Sequence, residues 1–359
     1  MIIDNHAHVL PDQAGPAGYA DAKTHAMILQ DQISWLMGRM VSSHMDRKYA
    51  PSPGEDVDFT VGKHGRWHWK KHGEECWIQR GPVCMVETDH TAEQLLAHMD
   101  FVGVDMSVIQ GGRVYMEHNY GREVVIRDCI KKWPNRFLGT VSIDYDLTKD
   151  DHYLEGEIRK LTQAVEEWGF KALFEHVPRT QPIDDPRCEP LWTEVARLGI
   201  PIYWITGYNS KAAYMEQLRQ LENMLRKHPE IDLIDPHVGA NLRHPSDPEW
   251  VDNPREFDAL LSLPNFFLEV GYVLSYENRE VWGRDFEYPY PRHREIIRYV
   301  YERHGATGMV WGSDMPYTQR TCTYTQCLDL IRLHCEFMAP ADRELVMGGN
   351  LARIYGISP

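Results

Sequence analysis

The chain has 359 residues, of which 43% are hydrophobic and 25% charged, so it carries enough apolar side chains for a large core and is not disordered as a whole. Its formal net charge of −15 argues against nucleic acid and anionic membrane surfaces as partners. No apolar run reaches the length of a membrane span, which is about 18 residues. Seven cysteines at irregular spacing predict free thiols, so we expect a protein of the reducing cytoplasm.

Short strand-like runs alternate with amphipathic helical stretches along most of the chain. The predicted strands cover residues 1–4, 104–110, 137–143, 171–177, 200–206, 233–237, 266–270 and 308–311. Helical stretches precede the later strands, for example at 122–132 and 155–168, and a closing helix is predicted at 342–355. Strands that alternate with such helices form parallel βαβ units, and eight of them predict a distorted TIM (β/α)8 barrel. We therefore expect a single barrel domain over residues 1–359.

Residues 9–91 interrupt this alternation as a long insertion after the first strand. One amphipathic helix is predicted there, with apolar side chains at helical spacing from Leu29 to Met40. Further on, three histidines lie four residues apart, His64, His68 and His72, where neighbouring glycines favour a solvated loop. Because the insertion leaves the C-terminal end of a barrel strand, it lies on the active-site face as a lid, an interface or an inert cover. A second insertion, 272–291, leaves the same face after the seventh strand.

Metal-capable side chains follow several of the predicted strands. His6 and His8 directly follow the first strand, and side chains two residues apart on a strand point to the same side. Others follow strands four, six and eight, namely Glu175, His176, Asp235, His237 and Asp314. The C-terminal ends of barrel strands meet at one mouth, so these groups are expected to lie close together. Imidazole and carboxylate ligands suit zinc, manganese, iron or cobalt.

The order of these motifs resembles the amidohydrolase superfamily. The similarity rests on the Asp-x-His-x-His that begins at Asp4, His237 after the sixth strand, the Gly-Ser-Asp-x-Pro that contains Asp314, and the closing Gly-Asn-Leu-Ala-Arg-Ile-Tyr-Gly. The branch that it most resembles is amidohydrolase-2, which includes aminocarboxymuconate semialdehyde decarboxylase and resorcylate decarboxylases. The resemblance implies a metal at the barrel mouth with His6 and His8 as ligands. It also implies that Asp314 is a ligand that handles a proton and that His237 is a ligand or an acid/base group.

One position departs from the family pattern. Family members usually carry a metal-binding His near the end of the fifth strand, where this chain has Ile205. Glu175 on strand four is a possible replacement that bridges two metals, as a carboxylated lysine does elsewhere in the superfamily; the alternative is a buried ion pair. Strand alternation prevents Glu175 and His176 from both pointing inward. We therefore expect Glu175 to be a ligand and His176 to support the site or contact the substrate.

Four further residues are candidates for the substrate pocket. Arg243 can receive a substrate carboxylate through two hydrogen bonds, or it can pair with a surface acid. Trp204 can form a pocket wall or pack within the barrel. Glu269 and Tyr272 end the seventh strand, where they can shape the pocket or donate a hydrogen bond.

These features predict a metal-dependent hydrolase or non-oxidative decarboxylase that acts on a small carboxylated molecule, with Asp314 and His237 as the proton-transfer residues. The expected cofactor is a divalent transition metal, zinc or manganese. Two alternatives stay open: an O₂-dependent hydroxylase with iron or a manganese–iron pair, and a non-catalytic barrel that supports an active partner. The aromatic insertions predict a homo-oligomer or a pair with a related barrel subunit.

Overall fold

A computed structural model describes residues 1–37, 40–111, 120–144, 146–175, 182–205, 211–236, 255–271 and 287–358. Its strands, numbered in chain order, are β1 (Ile3–Ala7), β2 (Thr60–Val61), β3 (Arg66–Lys71), β4 (Glu74–Gln79), β5 (Met106–Ile109), β6 (Phe137–Val141), β7 (Ala172–Glu175), β8 (Ile202–Trp204), β9 (Leu233–Asp235), β10 (Phe266–Val270) and β11 (Met309–Trp311). Eight of them form one parallel sheet in the order β1-β5-β6-β7-β8-β9-β10-β11. The predicted TIM barrel and its eight strands are confirmed.

Helices alternate with these strands, as the hydrophobic periodicity predicts. The described helices are α1 (Ala22–Asp31), α2 (Ile33–Leu36), α3 (Ala92–Val102), α4 (Tyr120–Lys132), α5 (Asp151–Glu166), α6 (Glu189–Leu198), α7 (Lys211–Lys227), α8 (Arg255–Leu261), α9 (Pro291–His304), α10 (Tyr324–Arg332), α11 (Pro340–Glu344) and α12 (Asn350–Ile354). A π-helical turn, Leu345–Gly349, joins α11 to α12, so the predicted closing helix is present with a widened turn in its middle. Short 3-10 turns occur at Arg47–Tyr49, Pro186–Cys188 and Tyr317–Arg320.

Alternate residues of the barrel strands face two different cores. Phe174, Tyr203 and Ile234 belong to the cluster inside the barrel, which Leu351 of α12 also joins. Their strand neighbours, such as Leu173, belong to the larger cluster shared with the helices. This period of two is the pattern that a strand buried on both faces requires, and it explains why most residues of these strands are apolar.

The barrel closes where the first and last strands meet. The amide of Asp314 donates to the carbonyl of His6 at 2.7 Å, and the amide of His8 donates to the carbonyl of Met315 at 2.6 Å. Ala7 and Met315 form a parallel bridge at the same place. The chain's first strand is therefore held directly against the segment that follows its last strand.

The insertion 9–91 is a folded unit, so the prediction of an irregular segment is wrong. The prediction of a solvated loop is correct for His64 and His72, which lie in exposed turns, and wrong for His68, which lies in a strand. Strands β2, β3 and β4 form an antiparallel sheet that includes His68, and Trp67 and Trp69 are buried beneath it. These tryptophans pack with Leu29 and Met40 in a separate hydrophobic cluster. The predicted amphipathic helix is divided into α1 and α2. Polar and aromatic residues alternate in β3, which is the pattern of a strand. The flanking Gly65 and Gly73 led to the prediction of a loop instead.

The structure describes all seven cysteines, and none of them forms a disulfide bond. Among the described helices, none is long and apolar enough to cross a membrane.

A buried histidine in α9 is expected to make the fold sensitive to acid. Burial lowers the pKa of His293 to about 4, and among the described residues neither ring nitrogen has a hydrogen-bond partner. In the unfolded chain the His293 imidazole is protonated below about pH 6.5, whereas in the folded protein it is protonated only below about pH 4. The free energy of unfolding therefore falls as the pH falls from 6.5 to 4. His293→Leu should reduce that loss by up to about 3 kcal/mol in denaturant titrations between pH 7 and pH 4. The exposed His152 provides the control, since His152→Leu should leave the slope unchanged.

Candidate metal centre

Three side chains from opposite ends of the chain meet at the barrel mouth. His6 Nε2 lies 3.1 Å from His8 Nε2, and Asp314 Oδ1 lies 2.9 Å from His8 Nε2 and 3.5 Å from His6 Nε2. All three residues are buried, and among the described residues they are the one such group of potential metal ligands. The histidines come from β1 and the segment after it, whereas Asp314 follows β11.

A bulge in β1 aims these side chains. Asp4 pairs with Ser107 of β5, but Ala7 pairs with Ile109, so three steps along β1 match two steps along β5. A bulge re-aims side chains by adding one residue to one strand. As a result both Asn5 and His6 reach Glu269, while Ala7 packs in the outer core and His8 returns to the centre. The expectation that His6 and His8 converge is met.

Hydrogen bonds at the far nitrogens direct both imidazoles toward the same point. His6 Nδ1 lies 3.1 Å from Glu269 Oε1, and His8 Nδ1 lies 3.0 Å from the carbonyl oxygen of Gln110. A carboxylate and a carbonyl accept, so each Nδ1 carries the proton and each Nε2 presents a lone pair. This arrangement is the usual one for histidines that bind metals in proteins.

The donor set fits one divalent transition metal. Ligand atoms that each lie about 2.1 Å from a tetrahedral ion are about 3.4 Å from one another, close to the separations found here. When both Nε2 atoms are unprotonated, two lone pairs and a carboxylate lie 2.9–3.5 Å apart and repel one another, so either a proton or a metal cation is needed among them. Two imidazoles and a carboxylate suit zinc, manganese or iron, and they leave further coordination positions open.

The charges around His6 favour its protonated form when no metal is bound. Burial lowers the pKa of His6, but Glu269 and then Asp314 and Asp4 raise it, with a net increase to about 9. A metal must displace a proton from this nitrogen in order to bind. The same negative charges that hold the proton attract a cation.

Asp4 ties the histidine strand to the loop that carries Asp314. Its carboxylate accepts from the Ser313 amide at 2.9 Å, the Ser313 hydroxyl at 2.6 Å and the Tyr324 hydroxyl at 2.7 Å. Burial raises the pKa of Asp4 to about 6, although these hydrogen bonds act in the opposite direction. Asp314 itself has a φ of 58°, a left-handed backbone conformation that aspartate tolerates better than most residues. The anchored Ser313 thus fixes the turn that aims Asp314.

Several predicted site residues are not part of this description. His176, His237, Arg243 and Tyr272 lie outside the described residues, so their roles stay predictions. Glu175 is the last residue of β7 and its side chain is outside the description as well.

Trp204 and Ile205, at the end of the fifth barrel strand (β8), lie on opposite sides of that strand. Trp204 is buried in the cluster shared by the strands and helices, on the opposite side of β8 from the interior residue Tyr203. Ile205 packs against the interior cluster at the position where the family pattern carries a histidine. An apolar side chain therefore takes the place of the expected imidazole.

Sequence analysis missed two contacts of the metal centre. Glu269 was expected to shape the pocket, but it contacts His6 directly. Arg80, from the insertion, is buried with its guanidinium carbon 4.3 Å from the ring centre of Tyr317, and that ring lies 5.5 Å from the ring of His8. Neither contact has a local sequence signal, because each joins residues from distant parts of the chain.

Comparison with known proteins identifies the family. The family model described as amidohydrolase matches residues 3–357. The chain belongs to the amidohydrolase family. A search of the curated proteins gives no match for this amidohydrolase.

Solved structures share the amidohydrolase barrel at low sequence identity. An amidohydrolase from Burkholderia multivorans with bound zinc is 14% identical, with a TM-score of 0.61 and coverage of 100% of each chain. A 4-oxalomesaconate hydratase from Rhodopseudomonas palustris is 15% identical, with a TM-score of 0.57 and coverage of 99% of this chain and 96% of its own. A 5-carboxyvanillate decarboxylase from Novosphingobium aromaticivorans with bound manganese is 14% identical, with a TM-score of 0.51 and coverage of 74% and 81%. These likenesses support the fold.

Removing the Asp4 carboxylate should destabilise this amidohydrolase strongly. Asp4→Ala removes the acceptor of the buried Ser313 amide and of the Tyr324 hydroxyl, which is expected to cost about 3 kcal/mol or more in the free energy of unfolding. Asp105 is a matched control, because its exposed carboxylate also accepts a backbone hydrogen bond near β1, from the amide of Ile2 at 2.7 Å. Asp105→Ala should cost about 1 kcal/mol or less in the same urea titration. Equal losses in the two variants would contradict the role assigned to Asp4.

Proposed function

We propose that the chain is a metal-dependent enzyme that hydrolyses or decarboxylates a small carboxylated molecule. The observation that carries the proposal is the convergence of His6 Nε2, His8 Nε2 and Asp314 Oδ1 at the barrel mouth. The C-terminal face of a TIM barrel is where enzymes of this fold carry out their chemistry. A buried group of two imidazoles and one carboxylate, open to further ligands, is the arrangement of a catalytic rather than a closed structural metal site.

The solved relatives support this reaction class. They include a hydratase and a decarboxylase, and zinc or manganese is bound in two of the structures. The compounds for which the two enzymes are named, 4-oxalomesaconate and 5-carboxyvanillate, are small carboxylated molecules. We extend the class of substrate and the choice of zinc or manganese to this chain, and not the individual compounds.

The proposed roles follow from the contacts. When bound, the metal supplies Lewis-acid chemistry, polarising an oxygen of the substrate or of water. His6 and His8 hold the ion through Nε2, and their Nδ1 partners keep both rings in the required tautomer. We assign Asp314 a second role in accepting or returning a proton, because it is the carboxylate of the described ligand group. His237 remains our second candidate for proton transfer.

Arg80 supports a carboxylated substrate. It is a buried positive charge that the insertion brings beside Tyr317, one ring away from His8. The chain as a whole carries a charge of −15, so a cation at this place counters the repulsion of an anionic substrate. Arg243 is proposed as a second contact for the substrate carboxylate.

The alternatives differ in metal content and in the need for oxygen. His6, His8 and Asp314 form a site for one metal, and a second metal requires the predicted ligand Glu175, so the number of metals per chain distinguishes a mononuclear centre from a dinuclear oxygenase. Iron in the purified protein and turnover that stops without O₂ would move the assignment to the hydroxylase. Full activity of an assembled complex that contains the Asp314→Asn chain would move it to the non-catalytic subunit.

Substitutions at two of the three ligands should separate metal binding from chemistry. His8→Ala is expected to remove most of the bound zinc or manganese, whereas Asp314→Asn keeps an oxygen ligand and should retain more metal. Both should lower kcat/KM by about a hundredfold or more on whichever aromatic or unsaturated carboxylates the protein turns over. Mass spectrometry measures the metal content of each variant. Release of CO₂ indicates decarboxylation, and uptake of ¹⁸O from water indicates hydrolysis. His44→Ala is the control, because this histidine binds Glu74 on the insertion surface.

Wild-type activity that persists after complete metal removal would contradict the proposal. So would unchanged activity in both His8→Ala and Asp314→Asn.

A further inference from the structure

We propose that Asn5 and Tyr203 are positioning residues that orient Glu269 and, through it, the metal ligand His6. The four side chains form a hydrogen-bonded chain through the barrel interior, and Tyr355 of the C-terminal segment extends it. This inference rests on the proposed function, because these hydrogen bonds are assigned an effect on metal binding at His6. Neither Asn5 nor Tyr203 was a candidate site residue in the sequence.

The contacts are continuous. Tyr355 and Tyr203 have their hydroxyl oxygens 2.7 Å apart, and the Tyr203 hydroxyl donates to Asn5 Oδ1 at 2.6 Å. Asn5 Nδ2 donates to Glu269 Oε2 at 2.6 Å, and the Glu269 carboxylate faces His6 Nδ1 at 3.1–3.2 Å. These hydrogen bonds join strands β8, β1 and β10, which are not neighbours in the sheet.

The partners fix the direction of every hydrogen bond. Glu269 as a carboxylate only accepts, so the Asn5 amide must turn its NH₂ toward Glu269 and its oxygen toward Tyr203. The single hydroxyl proton of Tyr203 is then used on Asn5, and Tyr355 must donate to Tyr203. On the other side Glu269 accepts from His6 Nδ1. The result is one tautomer of His6, with the Nε2 lone pair facing His8 and Asp314.

Burial makes these contacts hard to replace with water. Tyr203 and Asn5 are 0% exposed, and Glu269 and His6 are 1% exposed. A polar atom that loses its partner at such a place loses the hydrogen bond without gaining one from solvent. The hydrogen-bonded side chains therefore have one low-energy arrangement, and each restricts the orientation of the next.

Two backbone features make room for this chain. The bulge in β1 lets Asn5 point inward beside His6, where regular alternation would place them on opposite faces. Gly312 leaves space for Glu269, because a Cβ at this position would lie 2.6 Å from the Glu269 Cδ atom. Both features make room for the Glu269 carboxylate beside His6. An apolar interior would require neither of them.

The test is the affinity of the metal-free protein for Zn²⁺, together with the visible absorption bands of the Co²⁺-loaded protein. Glu269→Gln should weaken Zn²⁺ binding by about 10–100-fold, the usual effect of losing the group behind a metal-binding histidine. Asn5→Leu and Tyr203→Phe should weaken it by smaller factors, in that order, and shift the Co²⁺ bands. Tyr355→Phe should have little effect, because Tyr203 can still donate to Asn5.

A matched control removes a tyrosine hydroxyl elsewhere. Tyr301 donates to Asp342 at 2.6 Å, far from the chain described here, so Tyr301→Phe should leave Zn²⁺ affinity and the Co²⁺ spectrum unchanged. Thermal unfolding of each metal-free variant separates a loss of stability from a loss of metal affinity. If Asn5→Leu does not fold, Tyr203→Phe still tests the inference, since it deletes one oxygen atom.

Folded Tyr203→Phe and Glu269→Gln variants with wild-type Zn²⁺ affinity and an unchanged Co²⁺ spectrum would overturn this inference alone. A wild-type protein that binds no Zn²⁺ or Co²⁺ at His6 and His8 would instead contradict the proposed function on which the inference rests.

Discussion

The closure of the barrel between its first and last strands is the constraint on which the site depends. His6 and His8 lie at the beginning of the chain and Asp314 near its end, so no local structure can bring them together. The amide of Asp314 on the carbonyl of His6 and the amide of His8 on the carbonyl of Met315 form that junction. Asp4 locks it from the outer side through Ser313 and Tyr324. The contacts that complete the fold are therefore the contacts that assemble the ligands.

The two faces of β1 have separate tasks. Asp4 and Ala7 face outward, toward the last strand's loop and the helices, and hold the barrel closed. Asn5, His6 and His8 face inward, and the bulge provides the extra inward residue. Because the interior hydrogen bonds reach Tyr203 and Glu269 on other strands, the orientation of His6 depends on the whole barrel and not on its own strand. Stability and metal binding are thereby linked through a strand of five residues.

The sequence was sufficient to predict the barrel, its eight strands and the meeting of His6, His8 and Asp314, because hydrophobic periodicity and the positions of strand ends are local properties. It did not predict the sheet in residues 9–91, where glycines beside His64 and His72 obscured the alternation around Trp67 and Trp69. The partnership of Glu269 with His6 was also missed, since it depends on a bulge and on a contact between residues far apart in the chain. Sequence alone records which residue types are present, but the register between distant strands decides which of them meet.

We propose that one divalent metal lies between His6, His8 and Asp314. Anomalous X-ray diffraction at the zinc edge, from crystals of the protein loaded with Zn²⁺, locates such an ion. We expect a single strong peak within bonding distance of His6 Nε2, His8 Nε2 and Asp314 Oδ1, about 2.1 Å from each. An empty site at these three atoms, or zinc bound only at surface histidines such as His44 and His72, would contradict it.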